Sequence, residues 1–132
     1  MFGVVQVTQA FIDLWRRAPQ SRIVNVDSSG APLTVSSDPP WKYFHQGALY
    51  SASKAALHMY TIVLAYELRD TPFKVNAVDP GFTATDLNNY CGIGTVEEAA
   101  TRLVKYVLAS DDGPSSKFIN EENTPLTGEI PW

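Results

Sequence analysis

The sequence predicts an α/β fold in which helices and short strands alternate along the chain. Three observations support this: apolar residues recur at helical spacing in two long segments, short β-branched runs follow the predicted helices, and the helices are long enough to cross over a sheet. Strands joined in this way are expected to be parallel, with right-handed crossovers. At 132 residues and 45% hydrophobic content, the chain can form one globular domain with a core.

The first predicted helix extends from about Gly3 to Arg17, and Pro19 ends it. Its apolar residues are three and four positions apart, which gives a helix one apolar face: Val4, Val7, Phe11, Ile12 and Trp15. The next run, 22–26, is rich in β-branched residues and has the length of a strand.

A long loop is predicted over residues 28–46, which are interrupted by several prolines and glycines. Its aromatic residues either line a substrate pocket or pack on the core: Trp41, Tyr43, Phe44 and His45. The Ala- and Leu-rich segment 48–70 is predicted to be a long helix, and 73–78 a second strand that ends at Pro80-Gly81. His58 is interpreted as an ordinary helix residue.

The last third of the chain is expected to add one more helix and one more strand. Thr95 is predicted to cap a helix that extends to about Ser110, because Glu97 and Glu98 would lie in its favourable first turn. A third strand is predicted over 117–120, and the remaining residues are expected to form a loop.

Composition excludes several classes of function. The chain has 14 acidic and 10 basic residues, so it lacks the positive excess needed to hold nucleic acid or anionic membranes non-specifically. The sequence contains neither a run of 18 apolar residues nor a basic segment ahead of an apolar one at its start, so no membrane span or signal peptide is predicted. The single cysteine, Cys91, excludes an intrachain disulfide and favours a cytoplasmic location, and no metal site is expected.

The candidate chemistry begins with Tyr50 and Lys54, which are four residues apart and therefore on one face of the predicted helix. A nearby ammonium favours the ionised form of a phenol, so such a tyrosine can exchange a proton with a carbonyl or alcohol oxygen. Considered alone, the pair is typical of an ordinary helix surface. Its context is more informative, because Ser28 and Pro80-Gly81 follow strands whose carboxyl ends should share one edge of the sheet, where ligands bind.

These segments together resemble the short-chain dehydrogenase/reductase family. The motifs RIVNV-x-S, YSASKAAL, VNAVDPG and T-x-T-D occur in the family's order and spacing, and the resemblance extends from FGVVQVTQAF to about Phe118. The long serine-to-tyrosine interval and the tail are most similar to the carbonyl-reductase-like branch. The resemblance implies a Rossmann-type, doubly wound parallel sheet, of which this chain supplies about three C-terminal strands with their flanking helices.

The resemblance also implies catalytic roles. Tyr50 would be the acid/base that exchanges a proton with the substrate oxygen. Lys54 would favour the ionised phenol and hydrogen-bond the hydroxyls of the nicotinamide ribose. Ser28 would hold the carbonyl oxygen, and Ser29 is the alternative because Asp27 stands where the family often has another serine.

The cofactor implied by the resemblance is NADP, with NAD as the alternative, and the substrate is a small carbonyl compound or alcohol. Pro80-Gly81 would allow the backbone to approach the nicotinamide closely. Thr85 matches the threonine that contacts the carboxamide, and Thr83 is a less specific neighbour. The activity implied is NAD(P)H-dependent interconversion of a carbonyl and an alcohol.

One family motif, the glycine-rich G-x-x-x-G-x-G turn that binds pyrophosphate, is not found in the sequence. We therefore expect residues 1–132 to form a single domain that is the C-terminal part of the Rossmann fold and lacks the N-terminal nucleotide-binding half. The alternative is a non-catalytic truncated fragment, or a dimerisation or interaction module. Helices 4–15 and 48–70 are the expected surfaces of a homodimer.

Overall fold

The computed structural model describes residues 1–29, 47–122, 124 and 126–132. Its helices and strands, in chain order, are α1 (Phe2–Trp15), β1 (Ser21–Val26), α2 (Ala48–Glu67), β2 (Phe73–Val78), a 3-10 turn (Asp86–Asn88), α3 (Val96–Val107), β3 (Lys117–Ile119) and β4 (Glu129–Ile130). Most of the predicted long loop, including its aromatic residues Trp41, Tyr43, Phe44 and His45, lies outside the described residues.

The four strands found among the described residues form one sheet in the order β1-β2-β3-β4. β1 is parallel to β2 over its whole length, from Ser21 opposite Phe73 to Val26 opposite Val78, and β2 is parallel to β3. The predicted α/β fold with three parallel strands is therefore confirmed.

The prediction that the chain ends as a loop is wrong, because β4 pairs antiparallel with β3. Phe118 lies opposite Ile130, and both side chains are buried in one cluster. The ion pair between Lys117 Nζ and Glu129 Oε2, at 2.9 Å, links the two strands on the exposed side. A strand of two residues is too short to produce an alternating pattern, so no periodic signal in the sequence indicated it.

Both faces of the sheet are covered by helices, which explains why five of the six residues of β2 are buried. Phe73 and Val75 pack in the cluster that includes Leu64 of α2. Val78 packs instead in the cluster that includes Tyr106 of α3. Successive β2 side chains thus point to opposite faces of the sheet and pack against different helices, as strand geometry requires.

The predicted helices are all present, with small differences at their ends. Thr95 caps α3 as predicted: its hydroxyl accepts from the Glu98 amide at 3.2 Å, and the Glu98 carboxylate accepts from the Thr95 amide at 2.8 Å. α2 ends at Glu67 instead of residue 70, because the last residues before Pro72 adopt a turn. Within the described ranges, no helix is both long and apolar enough to cross a membrane. The cytoplasmic location stays a prediction.

Candidate active site

The candidate site is built where β1 and β2 end at the same edge of the sheet. The pairing continues one residue beyond the strands, since the Asp27 amide donates to the Val78 carbonyl at 2.9 Å. The Asp79 amide likewise donates to the Ile119 carbonyl at 2.8 Å. The segments that follow the two strands, which contain the predicted site residues Ser28 and Pro80-Gly81, therefore leave the sheet side by side.

Asp79 joins these strand ends through its buried carboxylate. Its Oδ1 accepts from the Gly81 amide at 2.7 Å, and its Oδ2 accepts from the Ser29 amide at 2.5 Å and from Asn120 Nδ2 at 2.9 Å. One side chain thus holds the segments after β1, β2 and β3 together. The sequence interpretation assigned no role to Asp79. The sequence did contain a signal for this role. Asp79 stands between an apolar strand segment and Pro80-Gly81, and the side chain of an aspartate at such a turn commonly accepts hydrogen bonds from the backbone that follows it.

Tyr50 lies in the first turn of α2 and Lys54 one turn further along, as the spacing predicted. The Tyr50 side chain is open to a ligand, with 39% of the residue exposed. Lys54 Nζ is 5.7 Å from the centroid of the Tyr50 ring and donates to the Val26 carbonyl at 2.9 Å. The ammonium therefore links the helix that carries Tyr50 to the end of β1, two residues before Ser28.

Ser28 and Ser29, the two candidates for the contact with the substrate oxygen, are both partly exposed. Their amides bind different carboxylates: the Ser28 amide donates to Asp27 Oδ1 at 2.9 Å, and the Ser29 amide donates to Asp79. Buried carboxylates thus hold this segment by its backbone. Either hydroxyl is accessible enough to meet a substrate.

The Pro80-Gly81 turn is held by two side chains that the sequence interpretation did not include. Arg102 Nη1 donates to the Pro80 carbonyl at 2.7 Å, and the Phe82 amide donates to Glu122 Oε2 at 3.1 Å. Gly81 has a φ of 87°, and a Cβ there would lie 2.3 Å from Arg102 Nη1. The positive φ favours glycine at position 81, and a Cβ there would in addition displace the Arg102 guanidinium.

Thr83 and Thr85 lie in the loop beyond this turn. The Thr83 hydroxyl donates to the Gly81 carbonyl at 3.2 Å, and its own carbonyl accepts from Asn88 Nδ2 at 2.9 Å. The Thr85 amide donates to Asn88 Oδ1 at 3.1 Å, at the start of the 3-10 turn. The structure thus brings Thr83 directly beside Gly81 and holds Thr85 further along the same loop.

Asp27 and His58 form a buried pair at the inner side of this site. Asp27 is 2% exposed and His58 is 5% exposed, and Asp27 Oδ2 lies 3.2 Å from His58 Nε2. Burial raises the pKa of Asp27 to about 7, although the nearby Lys54 charge opposes the rise. Burial lowers the pKa of His58 to about 4, and Lys54 adds to that decrease. His58 follows Lys54 by four residues, and this spacing was the available signal that it faces the same side.

Among residues 1–29, 47–122, 124 and 126–132, the His, Cys, Asp and Glu side chains form no cluster of three that could hold a metal ion. The polar groups at or beside this edge of the sheet include the Tyr50 phenol, the Lys54 ammonium, the serine hydroxyls and backbone amides, together with the carboxylates of Asp27 and Asp79. Such groups suit proton transfer and the binding of polar oxygen atoms.

Comparison with solved structures gives close matches in fold. Salutaridine reductase from Papaver somniferum superposes with a TM-score of 0.76 at 32% identity, over 88% of this chain and 50% of that one. An NADPH-bound carbonyl reductase from chicken fatty liver has a TM-score of 0.80 at 25% identity, over all of this chain and 54% of that one. The predicted partial Rossmann-type fold is confirmed.

Sequence comparison points to one family. Residues 1–93 match the family model described as short chain dehydrogenase. The chain is 33% identical to salutaridine reductase from Papaver somniferum and 30% identical to (-)-isopiperitenone reductase from Mentha piperita, over 88% and 89% of its own length. The chain spans about half the length of the curated relatives it matches, 48% of each of these two. On this evidence the chain belongs to the short-chain dehydrogenase family.

Proposed function

We propose that this chain carries the proton-transfer site of an NAD(P)H-dependent oxidoreductase that interconverts a carbonyl and an alcohol. The observation that carries the proposal is the position of Tyr50 and Lys54, one turn apart on α2, with Lys54 bonded to the end of β1. Ser28 and the Gly81 turn leave the same sheet edge. The reductase names of the relatives support this reaction class.

In the proposed reaction, the Tyr50 hydroxyl gives its proton to the carbonyl oxygen during reduction and removes it during alcohol oxidation. The Ser28 hydroxyl, or that of Ser29, donates to the same oxygen and stabilises the negative charge that develops there. The Lys54 ammonium, 5.7 Å from the centroid of the Tyr50 ring, offers hydrogen bonds to the ribose of the cofactor. The exposed position of Tyr50 supports its access to substrate.

The proposed cofactor is NADP, with NAD as the alternative. It would supply the hydride when bound, while the protein provides orientation and proton transfer. Pro80, Gly81, Thr83 and Thr85 would hold its nicotinamide end, and Lys54 its ribose. The fit is supported by the Gly81 turn, which is only partly buried, and by Thr83, whose hydroxyl donates to the Gly81 carbonyl. The structural relative with bound NADPH supports the choice of NADP.

The test is carbonyl reduction by the chain with NADPH, compared between Tyr50→Phe and Tyr66→Phe. Tyr66 is the matched control, because it lies on the same helix with an exposed ring that packs on Arg69. We expect Tyr50→Phe to lower kcat by about 100-fold or more with little effect on NADPH binding, and Tyr66→Phe to change neither. Turnover that survives Tyr50→Phe would contradict the proposed acid/base.

Nicotinamide fluorescence provides the accompanying binding measurement. Because the glycine-rich pyrophosphate turn is not in this sequence, we expect a Kd of about 1 mM or weaker for NADPH. A Kd below about 100 μM, which corresponds to about -5.5 kcal/mol, would show that the residues present hold the cofactor without that turn. The activity assay is therefore run with NADPH well above the measured Kd.

The second candidate function is a homodimerisation or interaction module. The observation that favours it is a set of exposed apolar side chains on α1 and α2: Val7, Phe11, Leu14, Met59, Val63 and Tyr66. Exposed apolar groups concentrated on two helices are typical of an association surface. No turnover at saturating NADPH, together with a stable dimer in gel filtration, would favour this function over the enzyme.

A further inference from the structure

The buried pair formed by Asp27 and His58 is not used by the proposed reaction. Asp27 Oδ2 and His58 Nε2 face each other at 3.2 Å, yet neither makes a well-directed hydrogen bond to any described group. Buried polar atoms without such bonds are costly, and native proteins rarely retain them without a reason. The pair therefore requires an explanation of its own.

The surroundings of the pair are mostly apolar on one side and charged on the other. The His58 ring lies 4.4 Å from the ring of Phe118 in β3 and 5.4 Å from that of Trp132, measured between centroids. The charged groups that act on Asp27 are Lys54 on α2, Asp79 after β2 and the amino terminus of the chain. Lys54 is also the charge that acts on His58. Asp27 and His58 are at most 5% exposed, so these charges act on them with less screening than in bulk water.

We propose that Asp27 and His58 form one proton-sharing pair that positions Ser28 at the candidate active site. The inference rests on the proposed function only in taking Ser28 as a site residue. Asp27 Oδ1 holds the Ser28 amide at 2.9 Å, while Lys54 Nζ holds the carbonyl of Val26, the residue before Asp27. His58 lies one turn beyond Lys54 on α2. The pair thus connects the strand end that carries Ser28 with the helix that carries the acid/base.

One proton between Asp27 Oδ2 and His58 Nε2 gives both atoms a hydrogen-bond partner. When Asp27 is protonated at Oδ2 and His58 is neutral, the carboxyl O–H donates to the lone pair on Nε2, and neither buried group carries a charge. Burial favours this state, since it raises the pKa of Asp27 to about 7 and lowers the pKa of His58 to about 4. Above about pH 7 the proton leaves Asp27, and the resulting carboxylate is stabilised by the positive charge of Lys54.

Loss of this proton should be detectable at Ser28. A carboxylate accepts a stronger hydrogen bond than a carboxylic acid, so the bond from the Ser28 amide to Asp27 Oδ1 should shorten as Asp27 ionises. The Gly81 amide donates to a different carboxylate, Asp79, at 2.7 Å. It is therefore an internal control at the same edge of the sheet.

The test is an NMR titration of the labelled chain between about pH 4.5 and about pH 8.5, which spans the range where histidine and a raised carboxyl titrate. We expect His58 to stay neutral to about pH 5 with Nε2 unprotonated. We also expect His58 Nε2 and the Ser28 amide to share one inflection near pH 7 that is larger than any change at the Gly81 amide. Comparison with the His45→Gln variant assigns the NMR signals of the two histidines. His58 protonation near pH 6.5, or no shared inflection, would overturn the proton-sharing pair.

Two variants test whether the pair positions the site. Asp27→Asn should abolish the inflection near pH 7. His58→Asn should accelerate hydrogen exchange of the Ser28 amide by about tenfold or more below pH 7, while the Gly81 amide exchanges as before. An unchanged Ser28 amide in His58→Asn would limit the pair to core packing and overturn the positioning role. These signals are read without substrate, so an inactive chain would count against the proposed function and not against this inference. If Asp27→Asn does not fold, the titration of the unmodified chain still decides.

Discussion

Replacing either member of the Asp27–His58 pair should reveal two opposing pH dependences of folding stability. The folded pKa of Asp27 is raised from 3.8 to about 7, so the folded state retains a proton that the unfolded chain has released. The stability from this group is fully present below pH 3.8 and is lost as pH rises towards 7. At about 1.4 kcal/mol per pH decade, this loss amounts to about 4 kcal/mol.

His58 contributes a pH dependence of stability with the opposite sign. Its pKa is lowered from an ordinary value of 6.5, expected in the unfolded chain, to about 4 in the folded protein, so the unfolded chain binds the extra proton. Its contribution is present above pH 6.5 and is lost as pH falls towards 4, by about 3 kcal/mol. Between pH 4 and 6.5 the effects of Asp27 and His58 on the free energy of unfolding nearly cancel. We therefore expect this pair to cause only a small pH dependence of stability in the unmodified chain.

Substituting one member of the pair removes its own pH dependence of stability and leaves that of the other member. In Asp27→Asn, the free energy of unfolding should rise by about 3 kcal/mol from pH 4 to pH 6.5, because the His58 dependence remains. In His58→Asn, it should fall by about 4 kcal/mol from pH 4 to pH 7, because the Asp27 dependence remains. Asp13→Asn, at an exposed carboxylate of α1, is the control and should follow the unmodified profile.

The assay is urea unfolding followed by far-UV circular dichroism at about six pH values, with the slope of the free energy against pH as the measured quantity. The absolute stability of each variant does not enter, so a general loss of packing is not mistaken for the effect. Parallel profiles for both variants and the unmodified chain would refute the reasoning. Slopes of the same sign in both variants would refute it as well.

Three further predictions concern the turn, a cap and the helix surface. Gly81→Ala should destabilise the chain by about 1 kcal/mol more than Gly47→Ala in urea unfolding. Both glycines have positive φ, but only at position 81 would the new Cβ displace the Arg102 guanidinium from the Pro80 carbonyl. Thr95→Ala should cost about 1 kcal/mol through loss of the capping box, whereas Thr101→Ala, further along α3, should cost less. If α1 mediates a homodimer, Phe11→Glu should shift the chain to a monomer in gel filtration; unchanged elution would exclude that surface.

Much of the fold could be predicted from the sequence because its determinants are local. The apolar spacing of α1, the β-branched run of β1 and the capping residues of α3 each lie within one segment, and the structure has these elements close to the predicted bounds. That Tyr50 and Lys54 share one face of α2 could be predicted for the same reason, since four residues along a helix correspond to about one turn. The spacing alone did not single them out as site residues; the neighbouring motifs did. β4 escaped prediction because pairing with β3, and not a pattern of its own, produces it.

The contacts around the candidate site depend on residues far apart in sequence. Asp79 joins Ser29 and Asn120 across 50 and 41 residues, and Arg102 reaches the Pro80 carbonyl across 22. No local pattern encodes such contacts, because they arise only when the strand ends are brought to one edge of the sheet. The same holds for the pairing of Asp27 with His58, which come from different elements.

The sequence by itself determined the order of helices and strands, the face of α2 that carries the phenol and the ammonium, and the family to which the motifs belong. Only the tertiary structure decided which carboxylates are buried, which of them ties the strand ends together, and which one faces an imidazole. The physical reason is that periodicity and capping act between neighbours in the chain. Burial and electrostatics act between neighbours in space, and they set the protonation of Asp27 and His58 only after the sheet has assembled.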